Sequence, residues 1–118
     1  MATATFDGAS MVNAVITGAL NTSMSFVGTD LTGATFGDDM SYEWFTDAVL
    51  TDADFTGTDL TSARLTGADL RNASLVNANL TWADLTRADL TGADLTGATW
   101  DNTTCPDGSV ATGSPCPV

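Results

Sequence analysis

The chain has 118 residues, with 15 acids against three basic residues, all arginine, and no histidine, for a formal net charge of −12. That length fits one domain. Arg64, Arg71 and Arg87 are too few to neutralise a phosphate backbone, so direct nucleic-acid binding is excluded. With no histidine and two cysteines, histidine-based triads and ordinary zinc sites are excluded as well. No apolar run approaches the roughly 20 residues needed to span a bilayer, and no signal peptide is visible after Met1.

A hydrophobic share of 43% argues against disorder despite the charge. The bias toward Ala, Thr, Asp, Gly and Leu points to a repeat instead. In chain order, Phe6, Met11, Ile16, Phe26, Leu31 and Phe36 fall in one five-residue register. A second register, one residue out of phase, holds Leu50, Phe55, Leu60, Leu65, Leu70, Leu75, Leu80, Leu85, Leu90, Leu95 and Trp100. From Ala48 to Ala98 a small residue, Ala or Thr, stands two positions before each of them. After Trp100 the segment CPDGSVATGSPCP abandons the pattern.

A period of five matches neither the helix nor simple strand alternation. It fits a solenoid in which each unit forms one side of a coil. The small and large residues, two apart, then point inward together. Units such as Ala68-Asp69-Leu70 and Ala93-Asp94-Leu95-Thr96-Gly97 resemble the A(D/N)LXX motif of the pentapeptide-repeat family. The resemblance runs over roughly residues 4 to 105. It implies an all-β, right-handed quadrilateral β-helix of about five coils, spanning roughly 24 Å at the usual ladder spacing.

Read modulo 20, the chain yields four inward columns. The first is Phe6, Phe26, Phe45, Leu65, Leu85 and Cys105; the second is Met11, Leu31, Leu50, Leu70 and Leu90. A third runs Ile16, Phe36, Phe55, Leu75 and Leu95, and a fourth Leu20, Met40, Leu60, Leu80 and Trp100. The fourth side is then one residue short in the first two coils, with an extra residue after Leu20 restoring phase as a bulge. A projecting loop at Gly37–Trp44, collecting Asp38, Asp39, Tyr42 and Glu43, is the alternative. Irregularity is expected around 18–25 and 37–45, with the β-helix at 1–104 and a capping loop at 105–118.

Cys105 and Cys116 either close that loop as a disulfide, which implies an extracellular or other oxidising compartment, or remain two buried thiols. The Pro-Asp-Gly turn favours the disulfide. The N-terminal layer of Phe6, Met11 and Ile16 carries no covering segment in the sequence, so it is the candidate face for dimerisation or end-to-end stacking.

On the outer surface, Asp30, Asp54, Asp59, Asp69, Asp84, Asp89 and Asp94 precede central residues. Stacking sets Asp69 beside Asp89. Turn hydrogen bonding explains these acids better than bound calcium does. Arg64 is expected over Asp84. The threonine columns raise ice or mineral binding, which Arg71, Val76 and Trp82 interrupt. The sequons at Asn21, Asn72, Asn79 and Asn102 are by-products of the repeat. No catalytic constellation or cofactor site emerges.

The function expected is therefore a non-enzymatic interaction solenoid that assembles through its N-terminal coil, with a protein partner the sequence does not name. The family resemblance adds an alternative, an acidic DNA mimic acting on an enzyme such as gyrase. Twelve net charges over the rod give about one per 2 Å, near the one per ~1.7 Å of B-DNA. The prolines after Cys105 preclude the C-terminal helix through which such family members pair.

Overall fold

In the computed structural model, residues 3–17 and 23–117 are described. Six short strands stand out: β1 (Thr3–Thr5), β2 (Val15–Ile16), β3 (Ser23–Ser25), β4 (Thr35–Phe36), β5 (Asp101–Thr104) and β6 (Val110–Thr112). Between β4 and β5 the coils meet residue by residue, through isolated parallel bridges such as Arg64–Asp84 and Asp69–Asp89.

One unit shows why. Leu65 N–H donates to Asp84 C=O at 2.8 Å, and Gly67 N–H to Thr86 C=O at 2.8 Å, both in the next coil. Ala68 N–H closes the corner on Leu65 C=O at 3.0 Å, and Asp69 N–H turns back to Ala48 C=O at 3.0 Å in the previous coil. The five-residue unit thus pairs its backbone without a long strand. Each regular five-residue corner carries one residue at positive φ, and the shortened corner between Phe36 and Met40 carries none. Gly67 fills that position at 69°, while Trp82 and Arg87 are held there at 59° and 60°. A left-handed residue with a side chain carries a steric penalty of about 1–2 kcal/mol, so coil stacking must over-determine these corners.

The bridges form four parallel ladders. The first follows Thr5, Ser25, Trp44, Arg64, Asp84 and Thr104, the second Ser10, Asp30, Val49, Asp69 and Asp89. Val15, Thr35, Asp54, Ser74 and Asp94 make the third, and Asp39, Asp59, Asn79 and Thr99 the fourth.

Register is where the chain is irregular. Ser10 meets Asp30, but Asp30 meets Val49 and Thr35 meets Asp54, one residue early; Asp39 meets Asp59, back in step. The missing residue therefore lies in the corner between Phe36 and Met40. No loop projects at 37–44, because Met40 and Glu43 are buried there. Leu20 and the residue expected to restore phase after it lie outside the described residues, as does Asn21.

The core begins aromatic and becomes aliphatic. Phe6 stacks on Phe26 at 5.3 Å and Phe26 on Phe45 at 5.2 Å, while Phe36 stacks on Phe55 at 4.2 Å. Leu31, Leu50, Leu60, Leu65, Leu70, Leu75, Leu80 and Leu85 are wholly buried, and Leu90 and Trp100 nearly so. Each such side chain is worth about 1.5–3 kcal/mol relative to exposure. Toward the ends burial weakens: Met11, Ile16 and Leu95 only pack against the core from its margin.

β5 extends the first ladder beyond Asp84, and β6 folds back on it antiparallel, pairing Thr104 with Val110 and Asp101 with Thr112. Cys105 and Cys116, Cα atoms 5.4 Å apart, are joined and buried beneath this hairpin.

Candidate interaction surfaces

The outward acids are held by their own neighbours. Asp30 Oδ1 accepts both the N–H and the hydroxyl of Thr32, at 3.1 and 2.7 Å. Asp89 and Asp94 do the same with Thr91 and Thr96. An oxygen taking two donors from two residues on fixes the backbone entry to the corner. The threonine hydroxyl, followed by its N–H, keeps Asp30, Asp54, Asp89 and Asp94 below the usual carboxylate range. The threonines are thereby occupied with the fold, which leaves no free hydroxyl array on these positions.

Asp69 and Asp89 do stand side by side, and Arg71 lies between them. Its Nε and Nη2 reach Asp69 at 2.8 and 2.6 Å, and its charge also lowers Asp89. Among the described residues no acidic cluster has the geometry to hold a metal ion. Arg64 behaves differently from its expected pairing. Its guanidinium sits over the Trp44 ring at 4.3 Å, and no ion pair with Asp84 forms among the described residues. Stacking on the indole face satisfies the guanidinium without ordering a second long side chain.

Trp44 bounds a groove of about 450 Å³ lined by Ala4, Thr5, Ser23, Met24 and Ser25. Tyr42 and Trp82, both at positive φ, project from the corner before the same ladder, at 65% and 63% exposure. Beneath this side lies Glu43, only 4% exposed, in the inward slot that Ala63 and Ala83 fill in later coils. Its carboxylate accepts the Met24 N–H. Burial pushes the Glu43 carboxyl up, a change opposed by that hydrogen bond and reinforced by Asp39. The sequence signal was present, since Glu43 stands two residues before Phe45, but a charged residue in a small-residue slot reads more naturally as loop.

At the N-terminal end, Phe6 is 36% exposed, and Met11 and Ile16 are half-buried. Their backbone is equally open. Asp30 N–H donates to Ala9 C=O and Met11 N–H to Asp30 C=O, so Ser10 directs its own N–H and C=O to the other side. Among the described residues none pairs with that side of Ser10 or β2.

The family model for pentapeptide repeats matches residues 45–67 and 63–99, in eight copies. A pentapeptide repeat protein (Rfr23) of the cyanobacterium Cyanothece 51142 superposes with a TM-score of 0.63 at 24% identity, over 80% of this chain and 82% of its own. One from the thylakoid lumen of Arabidopsis thaliana gives a TM-score of 0.51 at 27% identity, over 88% and 66% respectively. No curated protein sequence matches the chain. Eight repeat copies over residues 45–99 and solved neighbours of the same architecture identify pentapeptide repeats in this chain, with the right-handed β-helix that such repeats imply.

Proposed function

We propose that this right-handed quadrilateral β-helix of about five coils is a non-enzymatic interaction scaffold that self-associates through its N-terminal coil. Phe6, Met11 and Ile16 form the contact layer. The observation that carries the reading is the conjunction of half-exposed apolar side chains with backbone edges that have no partner among the described residues. A chain of net charge −12 otherwise resists association. The buried Cys105–Cys116 disulfide supports an oxidising compartment as its working environment.

Light scattering over a hundredfold concentration range tests the reading. Association that rises with concentration supports it, and a strict monomer removes it. The alternative, an acidic mimic of DNA acting on a DNA-handling enzyme, draws support from Asp30, Asp69 and Asp89 on one ladder. A supercoiling assay without inhibition sets it aside.

A further inference from the structure

We infer that the N-terminal edge pairs with the same edge of a second copy, head to head about a two-fold axis. The inference rests on the reading that this coil is the site of association, and adds the partner and the geometry.

Backbone direction comes first. Ser10 turns both its N–H and its C=O to the open side, and Val15 does likewise, because its neighbours Ala14 and Ile16 turn their C=O groups to the Thr35 and Gly37 N–H groups of the coil above. A residue presenting both groups on one side is what an antiparallel pair requires, since opposed residues exchange two hydrogen bonds. Two N-terminal edges offer this to each other, and two-fold pairing closes the assembly at a dimer.

The alternative, one copy's head on another's tail, is sterically obstructed. A copy continuing the coil would seat Ser10 on Asp89 and Val15 on Asp94. Its β1 would then fall on the first ladder beyond Asp84, where β5 already lies with β6 folded on top. Tail-to-tail contact fails on charge. Asp84, Asp89, Asp94, Asp101 and Asp107 crowd the C-terminal end, whereas residues 1–29 hold one acid, Asp7, and no arginine. The least charged end of the molecule is also its most open and apolar one.

Cysteines at exposed positions test the geometry on the oxidised full chain without disturbing the core. Ser10→Cys and Asp94→Cys are each treated with a short bis-maleimide, alone and mixed, beside light scattering of the unmodified protein. Expected are an apparent mass twice the 12.1 kDa chain, with no larger species, and crosslinked dimer from Ser10→Cys alone. Crosslinks between Ser10→Cys and Asp94→Cys, or filaments, overturn the head-to-head geometry while leaving association through this coil standing. A dimer in which Ser10→Cys does not crosslink overturns the geometry as well, and monomer at every concentration overturns both.

Discussion

Asp47 and Gly67 occupy the same corner in successive coils, and Asp47 Oδ1 fills the space that a Cβ on Gly67 would need. Both residues are left-handed, at φ 56° and 69°. The same arrangement recurs where Asn13 meets Gly33, Asn72 meets Gly92 and Asn77 meets Gly97. At these four corners the glycine leaves the room that the Asn or Asp side chain beneath it takes, whereas Asp52 carries Asn72 above it. Gly57 lacks such a neighbour and has open space around it.

Gly57→Ala is accordingly expected to cost about 1–2 kcal/mol, the left-handed penalty alone. Gly67→Ala adds a collision with Asp47 and should cost more. In an Asp47→Gly background the excess should disappear, as a coupling of about 0.5–3 kcal/mol between touching residues. Urea unfolding of the parent chain, the three single variants and the double variant checks this. Equal costs for Gly57→Ala and Gly67→Ala would contradict the corner argument.

The shortened corner leaves a trace one coil higher. Thr29 and Thr103 occupy inward slots and donate their hydroxyls to Phe6 C=O and Leu80 C=O, at 2.8 and 2.7 Å. Thr58 occupies the corresponding slot above the Phe36–Met40 corner, and its buried hydroxyl has no partner. Phe36 C=O would be the equivalent acceptor, but the lost residue alters the corner that positions it. Thr103→Val should therefore cost about 1 kcal/mol, and Thr58→Val should be neutral or stabilising by a similar amount. Thermal unfolding of both variants decides it. A Thr58→Val loss as large as that of Thr103→Val would show that the hydroxyl is satisfied in solution.

Glu43 gives a pH dependence of defined sign. Its folded pKa lies above the ordinary value of 4.5, so the folded state holds the proton more tightly than the unfolded chain. Its contribution is favourable below the unfolded pKa and is lost as pH rises toward and through the folded one. Asp30, Asp54, Asp89 and Asp94 act oppositely: their folded pKa values are lowered, so their contribution is present above 3.8 and lost on acidification. Glu43→Gln keeps an acceptor for the Met24 N–H without the charge. It should raise stability at neutral pH, with the gain vanishing as pH falls below the ordinary glutamate range. Unfolding curves at pH 7 and pH 4 provide the test, and a gain that is independent of pH would count against the buried carboxylate.

The hairpin cap depends on its covalent link. Cys105 and Cys116 are separated by 11 residues and both are buried. Replacing both by serine should cost about 2–4 kcal/mol. Loss of amide protection should concentrate at β6, because β5 retains its hydrogen bond from Thr104 N–H to Ala83 C=O. Hydrogen exchange resolves the two strands. Uniform deprotection through the leucine coils would mean that the cap supports the whole solenoid.

The five-residue period, its likeness to pentapeptide repeats and the cysteine pair were all legible in the amino-acid order. The first two are local, repeated properties, written in every unit from Ala53 to Trp100, and the pair is read from Cys105 and Cys116 after the repeat ends. The charge was legible in amount but not in purpose, because whether Asp89 serves a partner or its own Thr91 depends on a rotamer. What the tertiary structure decided lies between residues 19 or 20 apart. Glu43 is buried because the coil below presents the Met24 amide to it, and Arg64 stacks on Trp44 because that indole stands directly beneath. Thr58 loses its acceptor through a single missing residue in the coil before. A repeat determines which positions face inward. Only stacking brings particular side chains together, since contact between coils depends on register and on the neighbour that each corner leaves room for.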